Sequence, residues 1–456
     1  MAEISRARLA RLMQRETERF AAERPKSRAL FERAGASLLG GVPMNWMVRW
    51  SGPFPLFVRE ARGPHFTDVD GHRYLDLCLG DTGAMTGHSP EAVVEAVTAQ
   101  VRRGVTYMLP TEDSVWVGEE LQRRFGLPAW QIAMTATDAN RFAIRLARGI
   151  TGRKFVLVFN GCYHGTVDET FISLRDGRTV PKKSSFGPPV DPAATTRAVE
   201  FNDPDALERA LLPGDVACVL AEPAMTNVGM ILPEPGYHEA LRDLTRRTGT
   251  LLIVDETHTI CAGPGGYTAA HGLKPDILTI GKPIAGGVPA AAYGVSADLA
   301  GRAAAGIRVE DADVSGIGGT LSGNALALAA MRATLERVLT PRFYEETIPL
   351  AERFTDGVTG VIRTHGLPWH VVRLGNRAEY QFRPVPSRNG SEAEASMDLE
   401  LERFLHLYAL NRGILMTPFH NMALIAPGTT VEEIDGHTRQ FGEAVRELIG
   451  ETPSGN

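Results

Sequence analysis

The residues with the clearest chemical potential are two acids and a lysine that follow predicted strands. The apolar run 251–254 ends in Asp255 and Glu256, and a second short run, 277–280, is followed after one glycine by Lys282. Such runs are typical of strands buried on both faces of a parallel sheet, and α/β folds bind ligands at the carboxyl ends of these strands. An acid and a lysine at neighbouring strand ends are what pyridoxal 5′-phosphate requires. The lysine forms a Schiff base with the aldehyde, and the acid keeps the pyridine nitrogen protonated.

Each of these residues also has an ordinary interpretation. An Asp-Glu pair that ends a strand is commonly a solvated loop or a helix cap, and a lysine in a glycine-rich turn is commonly just exposed. The combination, together with further motifs in a consistent order, favours the cofactor site.

Composition and charge limit the class of protein. The 456 residues are 43% hydrophobic and 22% charged, with a net charge of −6. These values are ordinary for a soluble globular protein with one large and one smaller domain, and they give no sign of a nucleic-acid or membrane-surface partner. The charged N-terminal segment lacks the apolar core of a signal peptide, and no segment approaches the roughly 18 apolar residues of a membrane span. The four cysteines have no metal spacing, so we predict reduced thiols, no metal site and a cytoplasmic location.

The elements that must position the acid and the lysine alternate between strand and helix. The strands are predicted at 155–159, 216–221, 251–254 and 277–280, and the helices at 139–150, 203–211, 237–248 and 323–338. This alternation indicates a mostly parallel sheet with helices on both faces. After residue 340 the pattern changes to that of a separate α+β lobe, which we expect the N-terminal segment to join.

The order of motifs resembles the fold-type I pyridoxal phosphate enzymes, specifically the class III aminotransferases. The nearest branch is that of glutamate-1-semialdehyde aminomutase and the β-amino-acid and ω-transaminases. The resemblance extends from Gly63 to Leu448. The matching motifs are Asp68-Val69-Asp70-Gly71, Gly87-His88, Tyr163-His164-Gly165, Glu222-Pro223, Asp255-Glu256, Gly281-Lys282, Gly319-Thr320 and Gly323-Asn324.

The resemblance implies an α/β fold with a large domain, built on a mostly parallel seven-stranded sheet, and a smaller α+β domain drawn from both termini. The implied limits are 1–65 for the N-terminal part of the small domain, 66–335 for the large cofactor-binding domain and 336–456 for the C-terminal part. It also implies a homodimer with shared active sites.

Three catalytic residues follow from the resemblance. Lys282 carries the cofactor, and its freed amine is the natural general base. Asp255 pairs with the pyridine nitrogen, and Tyr163 stacks on the cofactor ring. Thr257 stands where the family has an apolar β-branched residue against the other ring face, and Glu222 belongs to the Glu-Pro motif.

The phosphate is expected at the loop that enters the helix near residue 139. Thr135, Ala136 and Thr137 fit that location, because backbone N–H groups at a helix N-terminus bind anions. The family has Asn-Ser-Gly where this chain has Met134-Thr135-Ala136, which puts a β-carbon where backbone normally approaches the phosphate. Thr320 resembles the threonine that reaches the phosphate of the neighbouring subunit.

Substrate recognition is predicted at Trp46 and Arg49. Trp46 stands near the position of a carboxylate-binding arginine in β-amino-acid transaminases, which favours an apolar or aryl substrate and argues against glutamate semialdehyde. Arg49 could equally be a surface residue. His258 and His420 can also line the pocket, although a structural histidine is the more frequent interpretation.

The predicted reaction is ping-pong aminotransfer from a primary amine or a β- or ω-amino acid to pyruvate or 2-oxoglutarate. The alternative is an aminomutase or racemase, since the loop from Gly281 to Pro289 looks very like the aminomutase loop and such an enzyme needs no keto acid. A non-catalytic regulatory protein is disfavoured, because the N-terminal segment is too short and insufficiently basic for a DNA-binding domain.

Overall fold

The computed structural model describes residues 4–183, 186–187, 190–306 and 316–451. These residues form two compact units. The terminal unit comprises 4–90, 345–386 and 396–451, and the central unit comprises the described parts of 91–344 together with 387–395. The domain limits given above stay a prediction.

The α-helices alternate with strands through most of the central unit. In chain order they are α1 (Arg6–Glu23), α2 (Pro25–Ala34), α3 (Glu91–Val101), α4 (Glu112–Phe125), α5 (Ala136–Thr151), α6 (Pro204–Leu211), α7 (Tyr237–Thr248), α8 (Gly266–Ala270), α9 (Ala297–Gly306), α10 (Ala325–Arg337), α11 (Pro341–Thr364), α12 (Gly390–Ala395), α13 (Leu399–Leu410) and α14 (Val431–Ile449).

The strands belong to both units. In chain order they are β1 (Val58–Arg62), β2 (His65–Asp68), β3 (Arg73–Asp76), β4 (Ala129–Ala133), β5 (Phe155–Phe159), β6 (Ile172–Arg175), β7 (Arg178–Pro181), β8 (Thr196–Val199), β9 (Val216–Ala221), β10 (Leu251–Asp255), β11 (Ile277–Ile280), β12 (Ala291–Val295), β13 (His370–Leu374), β14 (Arg377–Gln381), β15 (Ile414–Leu415) and β16 (Met422–Leu424).

A seven-stranded sheet forms the middle of the central unit, with the strand order β4-β12-β11-β10-β9-β5-β8. The strands from β11 through β8 pair in parallel, and β12 alone runs antiparallel to both of its neighbours. The predicted mostly parallel, seven-stranded sheet is therefore confirmed. Its parallel strands end at one edge, as the prediction of a site at strand ends requires.

Apolar side chains bury both faces of this sheet. On one face, Leu157, Val219 and Leu252 pack in a cluster with residues of α6 and α7. On the other face, Val156 and Ile253 pack in a cluster with residues of α5. Successive side chains of a strand point to opposite faces, so a strand that packs in both clusters needs apolar residues at every position. This is why continuous apolar runs in the sequence predicted these strands.

The terminal unit has its own core and two small sheets. The sheets have the strand orders β1-β2-β3-β15 and β13-β14-β16. Helices α11, α13 and α14 contribute Phe354, Phe404 and Phe441 to a cluster that also contains Tyr380 of β14. Among the described residues, no helix has both the length and the apolar character that a membrane span needs.

Candidate active site

The strand ends of β10 and β11 bring the predicted acid and lysine to one edge of the sheet. Asp255 is the last residue of β10 and pairs with Thr279 of β11 in the parallel ladder. Lys282 follows Ile280, the last residue of β11, after a single glycine. Both predicted residues therefore leave the sheet in the same direction from adjacent strands.

Asp255 lies in a buried and well-defined hydrogen-bond environment. Its carboxylate is 4% exposed. Oδ2 accepts hydrogen bonds from Asn140 Nδ2 and His164 Nδ1, each at 2.9 Å, and Oδ1 accepts one from the Thr257 N–H at 3.1 Å. An ionised carboxylate accepts about four hydrogen bonds. These three contacts therefore leave room for one further donor, which fits the N–H of a protonated pyridine ring.

Asp255 and His164 form an ion pair inside the protein. Burial by itself would raise the pKa of Asp255, but the hydrogen bond and charge of His164 lower that pKa to about 2. Burial would likewise lower the pKa of His164, and the hydrogen bonds and charges of Asp255 and Cys162 instead raise it to about 10. Near neutral pH the acid therefore carries a negative charge, as a partner for a pyridinium cation must.

Asn140 connects this pair to the neighbouring elements. It is fully buried on α5, donates a second hydrogen bond to the backbone oxygen of His164 at 3.2 Å and accepts one from Thr279 Oγ1 at 2.7 Å. Sequence reasoning gave Asn140 and His164 no role. For His164 a signal existed in the Tyr163-His164-Gly165 motif, whereas nothing local marks Asn140 as a partner of an acid 115 residues away.

Lys282 begins a short 3₁₀ turn and has a backbone φ of 52°. This is the left-handed region, which costs a non-glycine residue about 1–2 kcal/mol. Its Nζ lies 2.8 Å from Nε2 of His258. The preceding Gly281 packs so closely that an added Cβ would lie 3.0 Å from the Cβ of Ala136 and 3.3 Å from that of Ala291.

The N-terminus of α5 lies at the same edge. Thr135 is the N-cap, and its hydroxyl accepts a hydrogen bond from the Asp138 N–H at 3.2 Å. The first helical N–H groups, those of Ala136 and Thr137, have no partner within the helix and suit an anion such as a phosphate. Ala136, at the position where the resemblance implies a glycine, has its Cβ against Gly281, which carries no side chain.

The turn after β5 is fixed against α5. Thr137 Oγ1 accepts a hydrogen bond from the Thr166 N–H at 3.0 Å. Gly165 has a φ of 80°, and an added Cβ would lie 2.1 Å from Thr137 Oγ1. The half-buried Tyr163 belongs to this turn, directly before His164. Tyr163 therefore directly precedes His164, which binds Asp255, and lies two residues before Gly165, which packs against Thr137.

Three other predicted residues occupy distinct environments. Glu222 follows β9, is 4% exposed and accepts hydrogen bonds from the hydroxyl and N–H of Thr226; burial raises its pKa. Thr257 is buried beside Asp255. Thr320 lies in an exposed turn before α10.

Glu256 is a structural acid that sequence reasoning left without a role. It is fully buried and accepts hydrogen bonds from Thr259 Oγ1 at 2.6 Å, from the Tyr267 N–H at 3.1 Å and from the Thr268 N–H. Burial raises its pKa. By these contacts Glu256 closes the loop 257–268, which carries both Thr257 and His258.

The predicted substrate residues belong to the terminal unit. Trp46 and Phe419 pack edge to face with ring centroids 5.6 Å apart, and the Arg49 guanidinium lies 5.6 Å from the same Phe419 ring. His420 Nδ1 lies 3.5 Å from Oε1 of Glu379. The substrate roles of Trp46 and Arg49 stay predictions.

Comparison with known proteins identifies the family. Residues 46–445 match the family model described as Aminotransferase class-III. A glutamate-1-semialdehyde 2,1-aminomutase from Sorangium cellulosum is 37% identical over 422 residues, which are 90% of this chain and 93% of that protein. Among solved structures, a glutamate-1-semialdehyde-aminomutase from Pseudomonas aeruginosa PAO1, a lysine-to-alanine variant in complex with PMP, has 50% identity and a TM-score of 0.96 over 98% of this chain and 99% of its own.

A second kind of relative is more distant. An omega-transaminase from Sphaerobacter thermophilus has 28% identity and a TM-score of 0.83, over 93% of this chain and 98% of its own. The predicted family resemblance, fold type and pyridoxal 5′-phosphate cofactor are confirmed. The predicted preference for an aminotransferase over an aminomutase is not confirmed, because the more similar relatives are aminomutases.

Proposed function

Because the chain belongs to the class-III aminotransferase family, we propose that it is a pyridoxal phosphate-dependent aminomutase that moves an amino group between adjacent carbons of one substrate. The observation that supports this reaction, rather than transfer between two substrates, is the near-complete coverage of the chain by relatives named glutamate-1-semialdehyde aminomutase. The geometry of the central unit supports the cofactor chemistry that both reactions share.

The cofactor supplies an aldehyde that bonds to amines and a ring that withdraws electrons from the attached carbon. Lys282 is the residue that would hold it covalently, and its Nζ would carry protons to and from the substrate carbons. Asp255, kept ionised by His164, would hold the pyridine N–H. Without this charge the ring would withdraw electrons less strongly.

The remaining predicted residues would orient and shield the cofactor. The N–H groups of Ala136 and Thr137 at the start of α5, together with the Thr135 cap, would bind the phosphate. Tyr163 would cover one face of the ring and Thr257 the other. Glu222, buried after β9, would support the site from the next strand.

We propose glutamate-1-semialdehyde as the first substrate to test. Moving its amino group from C2 to C1 leaves a carbonyl at C2 and gives 5-amino-4-oxopentanoate, with no atom exchanged with a second substrate. Arg49 is the proposed partner of the substrate carboxylate, since a guanidinium suits that group, and Trp46 lies against the same Phe419 ring. The proposal departs from the prediction that Trp46 favours an apolar or aryl substrate, because the more similar relatives are glutamate-1-semialdehyde aminomutases.

The second candidate function is aminotransfer from an amine or a β- or ω-amino acid to a keto acid. It is favoured by the similarity to an omega-transaminase over most of the chain. A transaminase stops after one half-reaction unless a keto acid takes the amino group back, whereas a mutase needs none.

The deciding experiment incubates the purified holoenzyme with glutamate-1-semialdehyde, with and without 2-oxoglutarate or pyruvate, and measures 5-amino-4-oxopentanoate by mass spectrometry. A mutase forms the product in both cases. The Lys282→Ala variant should form none, and Lys274→Ala, which changes an exposed lysine of the same unit, should match the wild type. Turnover of 1-phenylethylamine or a β-amino acid that requires a keto acid, with no product from the semialdehyde, would overturn the mutase proposal in favour of the transaminase.

We further propose that the enzyme works as a homodimer with shared sites. An exposed apolar surface lies before α4, where Tyr107, Met108 and Leu109 are 41%, 76% and 72% exposed. This segment is tied to the start of α10, just after Thr320, by a backbone hydrogen bond from the Ala325 N–H to the Val105 oxygen at 2.9 Å. Apolar surface of this kind marks interfaces. A Leu109→Glu variant should therefore sediment as a monomer and lose activity.

The cysteines support a proposal about the cellular location. Cys78, Cys162, Cys218 and Cys261 are free and buried. Free thiols are typical of reducing compartments, and we propose a cytoplasmic location.

A further inference from the structure

His258 and Lys282 lie within hydrogen-bond distance of each other. The distance between Nε2 of His258 and Nζ of Lys282 is 2.8 Å, which is a hydrogen-bond length. A lysine ammonium can only donate, and a neutral imidazole nitrogen can accept. A neutral His258 ring can therefore accept a hydrogen bond at Nε2 from the Lys282 ammonium.

The surroundings hold these two groups in place. Glu256 closes the loop that carries His258 by accepting hydrogen bonds from Thr259, Tyr267 and Thr268. Lys282 takes a left-handed backbone conformation, with a φ of 52°. A strained backbone persists only where the surrounding structure enforces it, and such residues cluster at functional sites.

The other histidines of the central unit have different partners. His164 is fully buried and bonded to Asp255. His238 lies 2.8 Å from the backbone oxygen of Pro223, and His271 stacks on Tyr267 with ring centroids 3.8 Å apart. His258 contacts the lysine, and its ring is only partly buried, so a proton on it can pass to water.

We propose that His258 is a catalytic residue that accepts the proton of Lys282. In this step an N–H bond at Nζ breaks and an N–H bond at Nε2 forms, so that the ammonium becomes a neutral amine and the imidazole becomes an imidazolium. The imidazolium then returns the proton to Nζ or releases it to water. The neutral amine is the form that attacks an aldehyde and that accepts a proton from a substrate carbon.

This inference rests on the proposed function only in taking Lys282 as the lysine that binds the cofactor. It adds a general base for that lysine, whichever amino-group reaction the enzyme performs. General acid–base assistance of this kind typically contributes 10²–10⁴-fold to a rate.

The test measures how fast the cofactor-free protein captures pyridoxal 5′-phosphate at neutral pH. Samples are reduced with borohydride at timed intervals, and the labelled Lys282 peptide is quantified by mass spectrometry. We expect His258→Ala and His258→Gln to slow capture about 100-fold. Free imidazole should restore the rate of His258→Ala, because it enters the vacated space and accepts the proton. It should not restore His258→Gln, in which a side chain without a basic nitrogen fills that space.

His271→Ala is the matched control, since it removes an exposed ring from the same unit and should leave capture unchanged. An unchanged or faster rate of capture in both His258 variants would overturn the proposal. An equal increase of that rate by free imidazole in the two variants would also overturn it. If His258→Ala does not fold, as judged by circular dichroism, a normal capture rate in His258→Gln still overturns it. Failure of the wild-type protein to label Lys282 at all would instead contradict the cofactor assignment, so the two failures are distinguishable.

Discussion

The two ends of the candidate site are built in opposite ways. At the acid end, Asp255 is buried at 4% exposure and receives hydrogen bonds from Asn140, His164 and Thr257. At the lysine end, Lys282 is partly exposed and has a left-handed backbone, and its Nζ lies 2.8 Å from Nε2 of His258. One end is a fixed charge in a dry environment, and the other is a reactive amine within reach of water.

This difference matches the work that each end would do in the proposed function. There the acid would have to remain ionised through every step, and a buried carboxylate with several fixed donors keeps its charge. The lysine would have to gain and lose protons and exchange one bonding partner for another, which a fully fixed environment would prevent. Helix α5 connects the two ends, because Asn140 contacts the acid and Ala136 packs against Gly281.

The Asp255→Asn variant should cause the largest losses of stability and of cofactor binding. It leaves the buried His164 imidazolium without its counter-charge, and removing one partner of a buried ion pair costs about 3–5 kcal/mol. We expect that loss in the free energy of unfolding of the cofactor-free protein, measured by urea denaturation, together with much weaker cofactor binding. Asp276→Asn, which breaks a partly exposed pair with Arg242, should cost less and preserve cofactor affinity. Equal losses in the two variants would contradict the special role of Asp255.

The pH dependence of stability should report the same ion pair. His164 has a folded pKa of about 10 against an ordinary value of 6.5, so the folded protein keeps a proton that the unfolded chain releases. Its contribution is complete below pH 6.5 and is lost as the pH rises toward about 10, with a slope of up to about 1.4 kcal/mol per pH unit. Urea unfolding at a series of pH values measures this slope.

The matched variants for this measurement are His164→Gln and His271→Gln. The first should flatten the decline between pH 6.5 and 10, and the second, at an exposed ring, should leave it as in the wild type. The same decline in all three proteins would show that His164 is not the group responsible.

The Glu256→Gln variant tests whether the Glu256 hydrogen bonds hold the loop 257–268, which follows the acid end and carries His258. One carboxylate oxygen becomes an NH₂ group that faces the N–H donor of either Tyr267 or Thr268, since these two donors bind different oxygens. An unsatisfied buried donor costs about 1–3 kcal/mol. Thermal unfolding should detect this loss. Glu239→Gln, on the exposed side of α7, should change stability by less than about 0.5 kcal/mol. If Glu256→Gln left the stability unchanged, the loop would have to be held by other contacts.

The smallest effect is expected at the cap of α5. Thr135→Ala should lower stability by about 1 kcal/mol, as should Thr430→Ala at the N-cap of α14. Only Thr135→Ala should also weaken the binding of pyridoxal 5′-phosphate, measured by fluorescence titration, because only that helix is assigned to the phosphate. Equal cofactor affinities in the two variants would contradict this assignment.

The central strands could be predicted because burial on both faces leaves a readable pattern. Strands β5, β9 and β11 have the predicted limits, since each is a short continuous apolar run. The predicted helix at 323–338 is shorter in the structure, 325–337, because Asn324 is its N-cap. Strand β12 was missed because its alanines and Gly294 have weak strand propensity; the glycine is required by Trp130, which lies 2.6 Å from the position of a Cβ.

The site was predictable where residues follow strand ends and was not where they meet only through folding. Asp255 and Lys282 were identified from two strand ends, and the Thr135–Thr137 cap from a helix start. Asn140 and His164 complete the acid end from positions that are 115 and 91 residues away in the chain. No local pattern encodes such contacts, and only the packed sheet brings them together.

The most direct test of the account is to locate the lysine that binds the cofactor. The purified holoenzyme is reduced with borohydride, digested and analysed by mass spectrometry, with Asp255→Asn treated in parallel. We predict a pyridoxyl label on Lys282 alone in the wild type, and lower occupancy of the same lysine in the variant. A label on another lysine, or none, would contradict the assignment of the acid and lysine ends on which the account depends.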